Sequence, residues 1–504
     1  MSSVRSRLSI MMFLQYFIWG SWGVGIGVYK NIALQDFTGP EFTRVAGCTW
    51  LAAIFSPLIT GYIADRWFAA ERILAVFHLL GALLIGYAAT ATQYNVLFPV
   101  MFIYALLYMP TLALTNAISF ENVKEPEKEF PLIRVFGTFG WIVAGWIVGF
   151  VLQAKSGTPV RNAIAGVLGD TSPIFAANSF FYMAAASSVV LGLFSFFLPH
   201  TPPKMKGGAA ATSSRGSVLQ LLKQPSFLVF TIASFLICIP LAFYYSLANM
   251  FLGQIDAPYP TALQTIGQIS EVGFMALMPF FIVRMGVKKL LAVGMLAWVA
   301  RYFLFGTLSF PLVLIGLILH GVCYDFFFVG SQIYVDNKAD LAQRASAQGF
   351  LTFITLGVAM SIGSELAGRV HDMFPPQVRV SALTSDGQMI KTSLPDWSEK
   401  GDTGLAAELG IKAEDALTPD TKLPDMLEDA DRKLKFPRGS LFNAITLADE
   451  AGNKDGKTTR NEWRAAQRDD WFHIWLVPGV AAAVTLAIFW IGFRDNIQPR
   501  TVVH

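Results

Sequence analysis

The amino-acid sequence predicts an all-α membrane protein, with twelve transmembrane helices arranged in two groups of six. Three observations predict it. Of 504 residues, 54% are hydrophobic and only 14% are charged, against about 25% charged in soluble domains. Twelve stretches approach the roughly 20 apolar residues that a span needs. A polar stretch, His200 to Ser217, divides these spans six and six.

In chain order the spans lie near 8–29, 42–63, 73–92, 96–120, 132–153, 174–198, 226–253, 261–283, 289–307, 311–335, 346–373 and 472–494. The dividing stretch carries Pro202, Pro203, Lys204, Lys206 and a Gly/Ala/Ser run, the composition of a flexible linker. The expected domains are an N-terminal six-helix half (1–198), a linker (199–225) and helices 7–11 of a C-terminal half (226–373). An insertion (374–471) and a last helix with its tail (472–504) follow. The short basic lead with Arg5 and Arg7 precedes a long apolar run, so it reads as a first span and not as a cleaved signal peptide.

Basic residues in short loops set orientation. One side collects seventeen, among them Arg5, Arg7, Arg66, Lys124, Lys204, Lys288 and Arg344; the other has Lys30, Arg44, Lys155 and Arg161. The richer side is expected to be cytoplasmic, with both termini there, in a cell (inner) membrane. The net charge of +3 gives no sign of a nucleic-acid partner. Cys48, Cys238 and Cys323 all fall inside apolar spans and have no metal-site spacing. No cofactor is expected.

Residues 374–471 are hydrophilic, and by the span count they lie outside the cytoplasm. A structureless connection that long is uncommon, so a small folded or partly folded appendage is expected. Within it, ADEAGNKDGKTTRNEW resembles the calcium loop of an EF-hand, with Asn453, Asp455 and Glu462 at ligand positions around Gly456. The first ligand position is Ala451, which cannot coordinate. An Asp/Gly turn between two helices is therefore the favoured reading.

The chemistry concentrates in the spans. Ile318 to Asp336 is apolar enough to cross a bilayer yet carries Asp325, with His320 and Tyr324 close by. Thr261 to Val283 does the same with Glu271. An ionisable group at membrane depth costs roughly 3 kcal/mol on insertion scales, and a chain that keeps one usually uses it for a substrate, an ion or a proton. Gln268 and Glu271 are three apart and share a helix face, as His320 and Tyr324 do at four apart. Arg134, Thr138 and Trp141 form one stripe of the fifth span, and Asn249 sits in the seventh. Amides and hydroxyls in spans also serve simply to bridge helices, and a structural ion pair of Glu271 or Asp325 with Arg301 or Arg134 is the alternative for the carboxylates. With no basic cluster to hold a phosphate, the set favours a neutral ligand.

An internal repeat accompanies the six-plus-six division. GYIADRWFAAER (Gly61 to Arg72) and VRMGVKK (Val283 to Lys289) each follow the second span of a half, and together they resemble two decayed copies of the loop signature of the major facilitator superfamily. The strings WGSW (Trp19 to Trp22), ADRW (Ala64 to Trp67), YMPTLALTNAISF (Tyr108 to Phe120), FPLIRVFGT (Phe130 to Thr138), QISE (Gln268 to Glu271), YDFF (Tyr324 to Phe327) and RASAQG (Arg344 to Gly349) occur in that order. They resemble the bacterial nucleoside–proton symporters of that superfamily, the nucleoside permease type, from about residue 8 to 373. The resemblance does not cover 374–471.

That resemblance implies parallel six-helix halves around a central midplane site. It also implies family binding positions at Arg134, Thr138, Trp141 (in place of Phe), Asn249, Gln268 and Glu271. Asp325 falls on the proton-linked carboxylate and Tyr324 on an aromatic position usually filled by Phe. Ser246 stands where a glutamine is expected, and His320 where the family can carry Tyr. These departures bear on the substrate more than on the mechanism. The expected activity is import of nucleosides with protons by alternating access, with Asp325 or Glu271 as the proton carrier. The expected partners are a nucleoside or similar small neutral solute, protons and the lipid bilayer, and the expected state is a monomer. A carrier of a sugar or other small polyol is the alternative in transport, and a membrane sensor using the appendage is the alternative outside it. No nucleophile–base or metal set points to an enzyme.

Overall fold

A computed structural model of the chain describes residues 2–34, 36–59, 68–124, 126–153, 177–202, 220–339, 344–376, 378–384, 387–392, 394–395, 397, 405, 409, 416–418, 421–429 and 434–494. The chain divides into two units, Met1–Val370 with Trp475–His504, and His371–Ile474.

In the first unit, nine helices among the described residues are long and apolar enough to cross a membrane, or ten if a bent pair is counted as one span. We label them by their order as α1 (Val4–Asn31), α3 (Ala70–Ala88), α4 (Tyr94–Glu121), α5 (Leu132–Leu152), α6 (Ser179–Phe197), α7 (Pro225–Gln254), α10 (Phe310–Lys338) and α11 (Ala347–Met373), with Trp471–Gly492 closing the chain. The second expected span is seen as α2 (Cys48–Ile59) after a short helix Gly39–Ala46; its continuation over 60–67, with the string ADRW, lies outside the described residues. The bent pair is α8 (Pro260–Met278) and α9 (Phe280–Gly306), set at 104° to one another. Gly286, at φ 69° and ψ 168°, breaks the helix inside VRMGVKK, a backbone state that costs glycine little and other residues more.

The two halves meet along three helix pairs: α1 with α7, α5 with α8, and α2 with α11. With lipid on the outside, close approach of small residues drives such contacts. A Cβ on Gly27 would lie 2.6 Å from the Met250 nitrogen, and one on Gly149 would lie 2.5 Å from the Ala262 nitrogen. Polar contacts gather at the end of the bundle remote from the N-terminus. There the Val28 N–H donates to Asn249 Oδ1 at 2.7 Å, Thr261 Oγ1 to Gln153 Oε1 at 2.6 Å, and Trp146 Nε1 to Thr265 Oγ1 at 2.9 Å. Arg44 makes a two-pronged pair with Glu365 at 2.7 and 2.8 Å. That end of the bundle is closed.

The second unit has its own core. A four-stranded antiparallel sheet runs in the order β2-β1-β4-β3, from β1 (Val380–Leu383), β2 (Met389–Thr392), β3 (Met426–Asp429) and β4 (Leu434–Pro437). Alternate residues of β1 turn inward, as period-two geometry requires. The helices Arg438–Ala451 and Arg460–Ala466 complete it, burying Trp397, Phe436, Ile445 and Trp463. The Asp470 N–H donates to the Phe374 carbonyl at 3.1 Å, which ties the unit's two ends together.

Candidate functional site

The crossing of α8 and α10 builds the site. Gly267 on α8 gives His320 its room: a Cβ there would sit 3.0 Å from the His320 Cβ. Three residues on, the Ser270 hydroxyl donates to the Ile318 carbonyl and accepts from the Gly321 N–H at 3.2 Å. The string GQIS is thus a docking face, and it carries Gln268 and Glu271 alongside His320. His320 Nε2 lies 4.0 Å from Glu271 Oε2. The Glu271 side chain keeps 21% of its surface accessible while His320 keeps 1%.

One turn beyond His320, α10 carries Tyr324, whose ring stacks on the imidazole at 5.6 Å. Asp325 then begins a π-helical segment, Asp325–Val329; such bulges recur at functional sites because they re-aim side chains. Asp325 is fully buried, and neither carboxylate oxygen has a hydrogen-bond partner. The Glu271 charge on α8 acts on it, and in a medium of low dielectric such fields carry far.

The first half contributes from α5 and α1. The Arg134 guanidinium lies 4.1 Å over the Tyr16 ring, and its charge reaches both Glu271 and Tyr324 in the other half. Thr138 follows one turn later, half-buried. Trp141 meets Trp19 edge-on at 5.5 Å, and its indole N–H has no hydrogen-bond partner. The aromatic chain continues from Trp19 to Trp50 at 5.9 Å and from Trp50 to Tyr245 at 5.4 Å, where it crosses between halves.

The structure therefore brings Arg134, Gln268, Glu271, His320, Tyr324 and Asp325 together, with Thr138 and Trp141 on the same stripe as Arg134. Gln268 Oε1 is buried and unpartnered, an acceptor facing the same region. Asn249 and Ser246 are bonded to other partners in this structure. Asn249 accepts from the Val28 N–H and donates to Thr261 at 3.2 Å and to Gln264 at 2.9 Å. Ser246 donates to Ser364 at 3.4 Å. Both belong to the closed end. Tyr16, Trp50 and Tyr245 were not marked by the sequence, because aromatics are ordinary in spans.

The family is decided by comparison with known proteins. Residues 2–385 match the family model described as nucleoside H+ symporter. The chain belongs to the nucleoside–proton symporter family. It is a proton-coupled nucleoside transporter and not an enzyme, with the major facilitator fold. It is 41% identical to YegT of Escherichia coli K12, a protein named for nucleoside transport, over 389 residues that cover 75% of this chain and 87% of that one. It is 33% identical to the xanthosine permease of the same organism, over 74% of this chain and 89% of that one. Its fold superposes on the crystal structure of the nucleoside transporter NupG with a TM-score of 0.69 at 25% identity, covering 98% and 99% of the two chains.

The appendage loop is occupied by its own groups. Glu462 accepts from the Thr459 N–H at 2.8 Å, the Thr459 hydroxyl at 2.7 Å and the Asn453 N–H at 3.2 Å. Asp455 accepts from Lys457 at 2.9 Å, and Asp449 from the Gly456 N–H at 3.2 Å. The Thr459 backbone N–H, first among these, holds Glu462 below the usual carboxylate range. Among the described residues no group of three His, Cys, Asp or Glu side chains is placed to hold a metal. The Asn453, Asp455 and Glu462 set is an Asp/Gly turn closed by a capping box.

Proposed function

We propose that this symporter imports nucleosides, binding them between α5, α8 and α10 and coupling their entry to a proton carried by Asp325. The observation that carries the assignment is Asp325 itself, buried, without a hydrogen-bond partner and within the electrostatic reach of Glu271. A carboxylate with no donor committed to it is free to take up a proton, and a proton there relieves repulsion with Glu271. Glu271 and Gln268 would take the ribose hydroxyls or base edges, since a carboxylate beside an amide both accepts and donates. Trp141, Trp19 and Tyr324 offer faces to the base, and Arg134 balances Glu271 from the opposite half.

The basic-residue asymmetry supports cytoplasmic termini in the inner membrane and an extracytoplasmic appendage. In that orientation the closed end faces outward, and the site is reached from the cytoplasm. A monomer is the proposed working unit. Uptake of labelled uridine, adenosine and a sugar panel into proteoliposomes, with and without an inward proton gradient, tests the reading. Gradient-driven accumulation of nucleosides but not sugars is expected; sugar accumulation would overturn it.

A further inference from the structure

Arg301, on α9, is fully buried, and among the described residues it has no carboxylate within ion-pair distance. A buried guanidinium without a counter-charge is expensive, so its contacts need a reason. Its Nε donates to the Gly316 carbonyl at 3.1 Å, its guanidinium lies 3.7 Å over the Tyr244 ring, and NH2 stands 3.1 Å from His320 Nδ1. Arginine has only donors. His320 Nδ1 must therefore be the acceptor, which leaves the ring hydrogen on Nε2, the nitrogen that looks toward Glu271 at 4.0 Å. The nearest negative charge to Arg301 in this chain of contacts is thus one imidazole away.

We propose that Arg301 is a positioning residue for substrate recognition: it locks the His320 tautomer so that Nε2–H stands beside Glu271 as a donor to an acceptor atom of the nucleoside. The 4.0 Å gap is too long for a direct hydrogen bond, and it leaves the Nε2–H available to a ligand. Gly267 lets α8 pack closely against the ring, and Tyr324 stacks on it at 5.6 Å. The Gln268 acceptor and the Nε2–H donor then present opposite polarity to the same ligand, a pattern that distinguishes nucleosides by the acceptors they offer. Arg301 acts only through His320, and touches no substrate.

This inference rests on the symporter reading of the same site. Its test is a double-substitution cycle on the full chain in proteoliposomes, read as nucleoside counterflow, together with histidine ¹⁵N resonances. His320→Gln and Arg301→Met should each raise KM at least tenfold with a smaller change in kcat. Arg301→Lys, which keeps a donor, should recover part of the affinity. In the His320→Gln background Arg301→Met should add less than twofold, since groups that act as one unit are not additive. The His320 resonances, identified by their loss in His320→Gln, should report a bare Nδ1 and a protonated Nε2 in the wild type, and a changed pattern in Arg301→Met or, where that variant does not fold, in Arg301→Lys. Independent, multiplying effects of the two substitutions, or an unchanged nitrogen pattern, would overturn the proposal. A wild-type chain that exchanges no nucleoside would instead sink the functional reading, and the nitrogen pattern would still judge the tautomer.

Discussion

The backbone N–H of Val28 donates to the side-chain oxygen of Asn249 at 2.7 Å, joining α1 of one half to α7 of the other. Asn249 also donates twice within its own half, so one buried amide holds three helices together at the closed end. Asn249→Ala removes these bonds and strands their partners, at about 1–3 kcal/mol. That is roughly a 5- to 150-fold change in the ratio of closed to open conformers. Spin labels at Asp36→Cys and Pro258→Cys should show a longer distance population in Asn249→Ala. An unchanged distribution would remove Asn249 from the latch.

Arg44→Gln should do less. The Arg44–Glu365 pair is short, but its side chains are 42% and 28% exposed, and exposed pairs contribute about 0–1 kcal/mol. The same spin-label pair should report a smaller shift than Asn249→Ala. A larger one would mean that the ion pair is the main latch.

Trp141 is expected to stack on the base. Its ring meets Trp19 edge-on, and its buried indole N–H has no hydrogen-bond partner. Loss of base–aromatic stacking costs about 1–3 kcal/mol, so Trp141→Ala should raise the counterflow KM roughly 5- to 150-fold, and Trp141→Phe much less. Equal KM values for the two variants would place the ring outside the pocket.

His320→Tyr should change the ranking among purine and pyrimidine nucleosides while leaving proton dependence intact, because the ring stands beside Glu271 and the Asp325 carboxylate is left unaltered. Competition assays with a nucleoside panel measure this, and an unaltered ranking would exclude His320 from recognition.

The appendage should fold when excised as residues 371–474, since it buries its own tryptophans. Glu462 is depressed in the folded state by the Thr459 N–H. Its contribution is therefore present above the ordinary glutamate pKa, about 4.3, and is lost as pH falls through its lower folded value. Glu462→Gln should lower Tm at pH 7, and the gap should close toward pH 3. Millimolar calcium should leave Tm unchanged, because Ala451 removes the first ligand and Glu462 is already bonded. A calcium-dependent rise in Tm would contradict the reading of the loop.

Much of this was legible in the sequence because membrane helices betray their exceptions. Glu271 and Asp325 stood out as charges in apolar runs, and the structure brings them into one region. VRMGVKK read as the turn after the eighth span because its basic residues and glycine interrupt an apolar run, and Gly286 within it leaves helical geometry. Arg301 carried the same signal as the carboxylates, a charge inside a span, but its partner His320 is nineteen residues away across a turn, a pairing that only packing defines. The bonds that Asn249 makes between helices could not be read from the string, where an unpaired amide and a latched one look alike. Its close partner, the N–H of Val28, is backbone and leaves no trace in residue type.

The central claim is that Asp325 carries the coupled proton while Glu271 binds the substrate. The direct measurement compares counterflow with pH-driven accumulation for Asp325→Asn and Glu271→Gln in proteoliposomes. Asp325→Asn mimics a permanently protonated carrier, which can still exchange bound nucleoside but has no proton to release. It should retain counterflow and lose accumulation. Glu271→Gln loses a charge-assisted hydrogen bond, about 1.5–3 kcal/mol, and should lose counterflow at low substrate by roughly 10- to 150-fold. Accumulation of nucleoside by Asp325→Asn in response to an imposed pH gradient would contradict the account.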